Sequence, residues 1–173
     1  MLDECGLTYI WNSQNFINER WINEKIKQWI CDPFQQNWND DLQFCSKAIN
    51  YRIFKDTFGF KDYFNILDEK DFLIFCKFRT VNHRLPIECG RWKNLERENR
   101  KCNLCNSGIG DEFHYILKCP FFENERKTYI KKNLYRSPNI LCFKEIMSSK
   151  NKQNIISLCK FINIINKRVS PPG

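Results

Sequence analysis

The stretch that decides the reading is Cys102-Asn103-Leu104-Cys105, followed by Asn106-Ser107-Gly108-Ile109-Gly110-Asp111-Glu112-Phe113-His114 and Tyr115-Ile116-Leu117-Lys118-Cys119-Pro120. Its cysteines and histidine have the spacing C-x2-C-x8-H-x4-C. A structural zinc site takes four tetrahedral N and S ligands. Cys102 and Cys105 flank a tight turn, so both thiolates can reach one ion. Gly108 and Gly110 are expected to let the loop reverse, and Asp111 to cap a short helix carrying His114. On an unbroken helix His114 and Cys119 would point about 140° apart, at ~100° per residue. The helix must therefore end before Cys119. Pro120 supplies the reason, because the residue before a proline is pushed out of the α region. Pro120 can then open the next helix.

Cys102, Cys105, His114 and Cys119 are thus the candidate ligands of one Zn2+. With every position taken by protein, the ion would be structural rather than catalytic. Lys101 and Lys118, beside two of the cysteines, favour thiolates. Cys89 is near enough in sequence to be a rival ligand. Cys5, Cys31, Cys45, Cys76, Cys142 and Cys159 lack ligand spacing and read as reduced, small hydrophobes. The competing interpretation is four unrelated residues in a chain with 10 cysteines.

Upstream of this segment, Lys77 to Lys101 holds eight basic residues and three acids. Arg79 and His83 are four apart and share a face of a predicted helix, with Arg84 adjoining. His83 belongs to this basic face rather than to the metal ligands. Arg91, Trp92, Lys93, Arg97, Arg100 and Lys101 follow. Arginine binds phosphate bidentately, and an aromatic ring stacks on unpaired bases. The candidate nucleic-acid contacts are therefore Arg79, Arg84, Arg91, Trp92, Lys93, Arg97, Arg100 and Lys101. The alternative is that the arginines pair with Glu88, Glu96 and Glu98 and hold a loop, with Trp92 in the core.

Helical periodicity predicts the rest. Phe16, Ile17, Trp21, Ile22, Ile26, Trp29 and Ile30 mark a helix over 15–31, broken at Asp32-Pro33. A second is expected over 34–47, and Gly59 marks a turn in the aromatic stretch 51–66. A helix over 68–84 is expected to end at Pro86 and Gly90, leaving 85–101 irregular. Helices over 121–135, 139–148 and 151–167 follow, the last apolar on most sides. The expected class is mainly α: a helical domain with an inserted C-C-H-C zinc knuckle. Its segments are 1–50 (helical), 51–101 (helical and basic), 102–119 (knuckle), 120–168 (helices) and 169–173 (tail).

The 173 residues make one domain, or one with an appendage. No apolar run approaches the ~18 residues of a membrane span. The acidic start does not suit a signal peptide. A soluble, intracellular protein is expected, nuclear or cytoplasmic, without membrane partners. The net charge of +8 is uneven. Residues 1–75 hold 8 basic and 12 acidic side chains, net −4, and 76–173 hold 20 and 8, net +12. That asymmetry points to a polyanionic partner, against the alternative of a lysine-rich solubilising surface. Phosphate-loop, dinucleotide-loop and serine-nucleophile motifs are absent, and two histidines leave little room for histidine catalysis. Trp38-Asn39-Asp40-Asp41 lacks the flanking strands of a polymerase turn and reads as a solvated acid pair.

Phe78-Arg79-Thr80, His83-Arg84-Leu85-Pro86-Ile87-Glu88, Gly90-Arg91, Arg97-Glu98-Asn99-Arg100, Cys102-x2-Cys105, Glu112, His114 and Cys119-Pro120 form an ordered series. It resembles the region after the polymerase in LINE-type (non-LTR) retrotransposon reverse transcriptases, which carries a C-C-H-C zinc knuckle. Tyr51-Arg52-Ile53-Phe54-Lys55 and Leu158-Cys159-Lys160-Phe161 are also similar to such reading frames. The resemblance covers roughly 15–168 and is loosest before residue 50. It implies a non-catalytic region that grips template RNA and target DNA, with single-stranded or structured RNA or DNA as the expected partner. It makes Cys102, Cys105, His114 and Cys119 the ligands, and Arg79, Arg84, Arg91, Arg97 and Arg100 candidate contacts. Polymerase and endonuclease parts are missing, so no enzymatic activity is expected. The chain looks like a truncated copy, a gene fragment or a retained host gene. Two alternatives stand beside this reading: a zinc-stapled protein-interaction module, and a degenerate remnant without present function.

Overall fold

Proline in a helix interior removes one backbone donor and costs about 3 kcal/mol, yet the helix at Pro33 does not break. In the computed structural model, α2 runs through it from Glu19 to Phe44. No residue of α2 is buried, so water can reach the Trp29 carbonyl that Pro33 leaves without its N–H. The two helices expected on either side of Asp32-Pro33 are one. Asp40 and Asp41 lie exposed within it.

The structure describes residue 4, residues 6–13 and residues 18–169. The expectations for Cys5, Phe16, Ile17 and the 170–173 part of the tail lie outside these. The chain divides into two units, Met1–Phe44 and Cys45–Gly173. The first contains α1 (Thr8–Ser13) and α2. The boundary falls after Phe44 rather than near residue 50. The basic segment, the cysteine cluster and the C-terminal helices belong to the second unit together.

That unit is built from short helices: α3 (Tyr51–Phe54), α4 (Tyr63–Ile66), α5 (Glu69–Arg79), α6 (Pro86–Trp92), α7 (Glu123–Tyr129), α8 (Lys132–Tyr135), α9 (Ile140–Met147) and α10 (Lys152–Val169). The fold is mainly α. Among the described residues there is no strand, only an isolated antiparallel bridge between Lys101 and Ile109. α10 buries Ile155, Leu158, Phe161, Ile162, Ile165 and Val169, a stripe at helical spacing, and packs against α5 and α7. Phe75, Phe78, Phe122, Phe143 and Tyr115 complete the core. Burying such a side chain contributes about 1.5–3 kcal/mol.

Local chemistry sets the helix ends. Asp68 accepts from the Asp71 N–H at 2.8 Å and starts α5. α5 stops at Arg79, short of the expected residue 84. Asn82 N–H donates to the Lys77 carbonyl at 2.8 Å and Val81 N–H to the Phe78 carbonyl at 3.4 Å, the paired bonds of a Schellman cap. Val81 takes the left-handed place, at φ 55°. That conformation is costly for a β-branched residue, and here Val81 is buried.

The stretch 85–101 is not irregular throughout. Pro86 begins α6 at its first position, where its missing N–H costs nothing. Gly90 lies inside α6 because Arg100 packs there, and a Cβ would meet Arg100 Cγ at 2.5 Å. The helix expected over 121–135 is split into α7 and α8 by Ile130, which turns extended (φ −115°, ψ 138°) and is buried.

Candidate metal centre and the basic segment

The cluster is assembled by a chain reversal, a capped turn and an exit lock. Cys102 N–H donates to Gly108 O at 2.8 Å and Asn106 N–H to Cys102 O at 3.0 Å. The left-handed residue of this reversal is Asn106, at φ 54°, and neither Gly108 nor Gly110 has positive φ. The glycines provide clearance instead. A Cβ on Gly108 would sit 3.3 Å from His114 Nδ1, and one on Gly110 would sit 2.9 Å from the Pro86 ring.

Asp111 caps the next turn as expected, accepting from the His114 N–H at 2.9 Å. His114–Lys118 is a single π-helical turn, closed by Cys119 N–H on the His114 carbonyl at 2.7 Å. The wider turn brings Cys119 back under His114, which an α-helix could not do. Cys119 then goes extended (ψ 121°) ahead of Pro120, and a 3-10 turn follows over Pro120–Phe122.

Cys102, Cys105, His114 and Cys119 thereby come together, their ligand atoms all within 4.8 Å of one another. The Cys102 and Cys119 sulfurs are 3.9 Å apart, and Cys105 Sγ is 3.2 Å from His114 Nε2. Tetrahedral zinc with Zn–S bonds of about 2.3 Å sets an S···S edge of about 3.8 Å. The four residues can hold a metal ion.

The electrostatics suit a cation. Burial, then the charges of Arg126 and Lys118, hold the His114 imidazole below its ordinary value. It stays neutral, the form that ligates. Burial pushes the Cys119 thiol up to about 12, so a cation is needed to keep it a thiolate at neutral pH. For Cys105 burial also acts upward, but hydrogen bonds from Ser107 and the neighbouring thiols outweigh it and the net direction is down. Cys89 is not in the cluster; its thiol donates to the Arg84 carbonyl.

Two supports of the cluster lie outside the ligand spacing. Arg126, buried, donates to the carbonyls of Ile116 at 2.7 Å and Cys119 at 2.8 Å, tying the exit of the cluster to α7. Glu112, also buried, accepts from His83 Nε2 at 2.7 Å through Oε1 and from Asn50 through Oε2. Leu85 N–H donates to His83 Nδ1 at 3.3 Å, which places the ring proton on Nε2. A lone Glu or His has no spacing that would single it out.

The eight basic-segment candidates divide sharply. Arg79 and His83 do not form an exposed face. α5 ends between them and both are buried. Arg79 lies among the rings of Phe54, Tyr63 and Phe75 and donates to the Met147 carbonyl, because the C-terminal end of α9 offers an unpaired acceptor there. Arg91 forks onto Glu88 at 2.6 and 2.9 Å. Arg97 reaches Asp111 at 3.1 Å. Arg100 donates to the carbonyls of Leu95 and Ile87. Arg91 and Arg100 tie the segment to itself, and Arg97 ties it to the cysteine cluster through Asp111. Arg84, Trp92, Lys93 and Lys101 are exposed, Trp92 by 59%. No helix among the described residues is long and apolar enough to cross a membrane. Compared with protein-family models, with curated proteins and with solved structures, the chain matches none.

Proposed function

We propose that the chain is a zinc-stapled module that binds nucleic acid and has no catalytic role of its own, like the C-terminal region of the LINE-type reverse transcriptases it resembles. The observation that carries this is the ligand set Cys102, Cys105, His114 and Cys119, with sulfur spacing of 3.9 Å where tetrahedral zinc asks for about 3.8 Å. Three thiols and an imidazole select a borderline-soft ion such as zinc over magnesium or calcium. Four protein ligands leave no position for a reacting water, which supports a structural ion.

The nucleic-acid part rests on net +12 over residues 76–173 and on exposed Arg84, Trp92, Lys93 and Lys101. Protein purified without chelator should carry one zinc by elemental analysis. Mixed-sequence single-stranded RNA should bind it with a slope of log K on log salt of about −0.7 per phosphate neutralised. Replacing Arg84, Lys93 and Lys101 together by alanine should flatten that slope by about two units. Arg91, Arg97 and Arg100 are unsuitable for this purpose, since their loss would loosen the fold.

A second reading, a protein-interaction module, is favoured by one observation: Arg91 and Arg97 already carry carboxylate partners. Absence of RNA binding at low salt, with zinc present, would put that reading first.

A further inference from the structure

Arg79 is 2% exposed and, among the described residues, makes no ion pair with a carboxylate. Its Nε has no hydrogen-bond partner. The guanidinium contacts are the Met147 carbonyl and ring faces, with Phe54 at 4.4 Å, Tyr63 at 5.0 Å and Phe75 at 5.2 Å. A buried cation without a counter-charge is expensive, and an arriving anion removes that cost. Arg79 also lines an open cavity of about 190 Å³. At about 30 Å³ per water, the space exceeds what a phosphate group needs. Lys61, Lys144 and Lys150 stand in its wall against Asp56 and Asp62, so cations outnumber carboxylates by four to two. One of those lysines, Lys144, is paired with Asp56 at 2.8 Å.

A second, separate observation lies beside the cavity. The Tyr63 ring, above Arg79, stacks on Phe64 at 4.8 Å, and Phe64 meets Phe60 at 4.9 Å. Phe60 is 67% exposed and Phe64 45%. The rings form a ladder from the buried guanidinium to solvent, and exposed rings next to cations are a platform for a nucleobase.

We propose that this cavity and ladder form a nucleotide subsite, with one phosphate group held above Arg79 by Lys61 and Lys150 and its base stacked on Phe60 and Phe64. Of the eight basic-segment candidates, the subsite uses Arg79 alone. The nucleotide is either free or one unit of a single strand.

The test titrates the full chain, purified without chelator, with AMP, adenosine, inorganic phosphate and a short single-stranded RNA. Because Arg79 is part of the core, the variants are placed at the surface. Lys61→Ala with Lys150→Ala should weaken AMP and phosphate by about fivefold or more and spare adenosine. Phe60→Ala should weaken AMP and adenosine by about fivefold or more and spare phosphate. Strand affinity falling in the same variants identifies the strand as the source. AMP affinity falling while the strand is indifferent identifies a free nucleotide. If neither AMP nor strand binds, or neither responds to these variants, the subsite is overturned. Strand binding that ignores these variants and falls only with Lys93→Ala and Lys101→Ala leaves the reading under Proposed function standing without it.

Discussion

Helix α2 and the cysteine cluster both carry large apolar side chains, and these end in opposite environments. α2 carries Trp21, Ile22, Ile26, Trp29, Ile30 and Phe34 at helical spacing, and none of its residues is buried. The cluster has no regular period, yet Tyr115, Ile116, Leu117 and Cys119 are among the most buried side chains in the chain. Periodicity fixes a conformation and a face. Burial needs partners, and the cluster brings its own. The Asp111 cap, the Arg126 bonds and the Glu112–His83–Asn50 network all converge on it.

The sharpest way to break this comparison is to strip the metal proposed for the cluster. Structural zinc contributes about 10–16 kcal/mol in finger peptides at neutral pH. Chelation, or His114→Ala, should expose 100–120 to protease and loosen the core around Phe122 and Phe161, while α2 keeps its helix. Limited proteolysis followed by mass spectrometry reads both regions at once. Equal cleavage before and after chelation counts against the metal centre.

Glu112→Ala probes the same region without touching a ligand. It leaves the His83 and Asn50 donors buried and unpaired, at about 1–3 kcal/mol each. Chemical denaturation should show the loss as a lower midpoint, with zinc content at first unchanged. A midpoint within error of the parent chain would mean that the network does not anchor the cluster.

Much of this was legible in the sequence. The grouping of Cys102, Cys105, His114 and Cys119, the Asp111 cap, the end of the turn at Cys119 and the opening of a new turn at Pro120 all follow from spacing and proline chemistry. The mainly helical class follows from periodicity, as does the packing of α10. The errors have physical causes. Asp32-Pro33 reads as a break because proline restricts the residue before it, but α2 has no buried residue, so the carbonyl left without a donor stays open to water. By their residue types Pro86 and Gly90 read as terminators, whereas one starts α6 and the other makes room for Arg100. The basic run hid two populations, because charge alone cannot tell an arginine that forks onto Glu88 from one that faces water. Val81 gave no sign that it would take a position glycine usually fills.

Glu88 offers a smaller, pH-dependent effect. Burial acts upward on its carboxyl, but Arg91 and Lys47 outweigh it and hold the net value below the ordinary one. A depressed folded value means that the unfolded chain binds more protons as the solution is acidified. The contribution of Glu88 is therefore complete above the ordinary carboxylate value, about 4.3, and is lost as pH falls through the folded value. The stability difference between the parent chain and Glu88→Gln should be largest near neutrality and shrink on the acid side. Urea midpoints measured across that range decide it, and a difference that grows with acid would reverse the assignment.

The smallest effect sharpens the comparison most directly. Phe34 lies on α2 and is 66% exposed, whereas Phe161 on α10 is fully buried. Truncating a buried phenylalanine costs about 3–5 kcal/mol through lost transfer energy and a cavity. A surface change away from such features stays within about 0.5 kcal/mol. Phe34→Ser should therefore leave the denaturation midpoint almost where it was, and Phe161→Ala should move it far. The serine is also a slightly poorer helix former than leucine or alanine but close to phenylalanine, so helicity by circular dichroism should hold. A loss of several kcal/mol at Phe34 would mean that something covers this face of α2 in solution. Dilution would then separate the cases, since a cover supplied by a second copy weakens with concentration and one supplied within the chain does not.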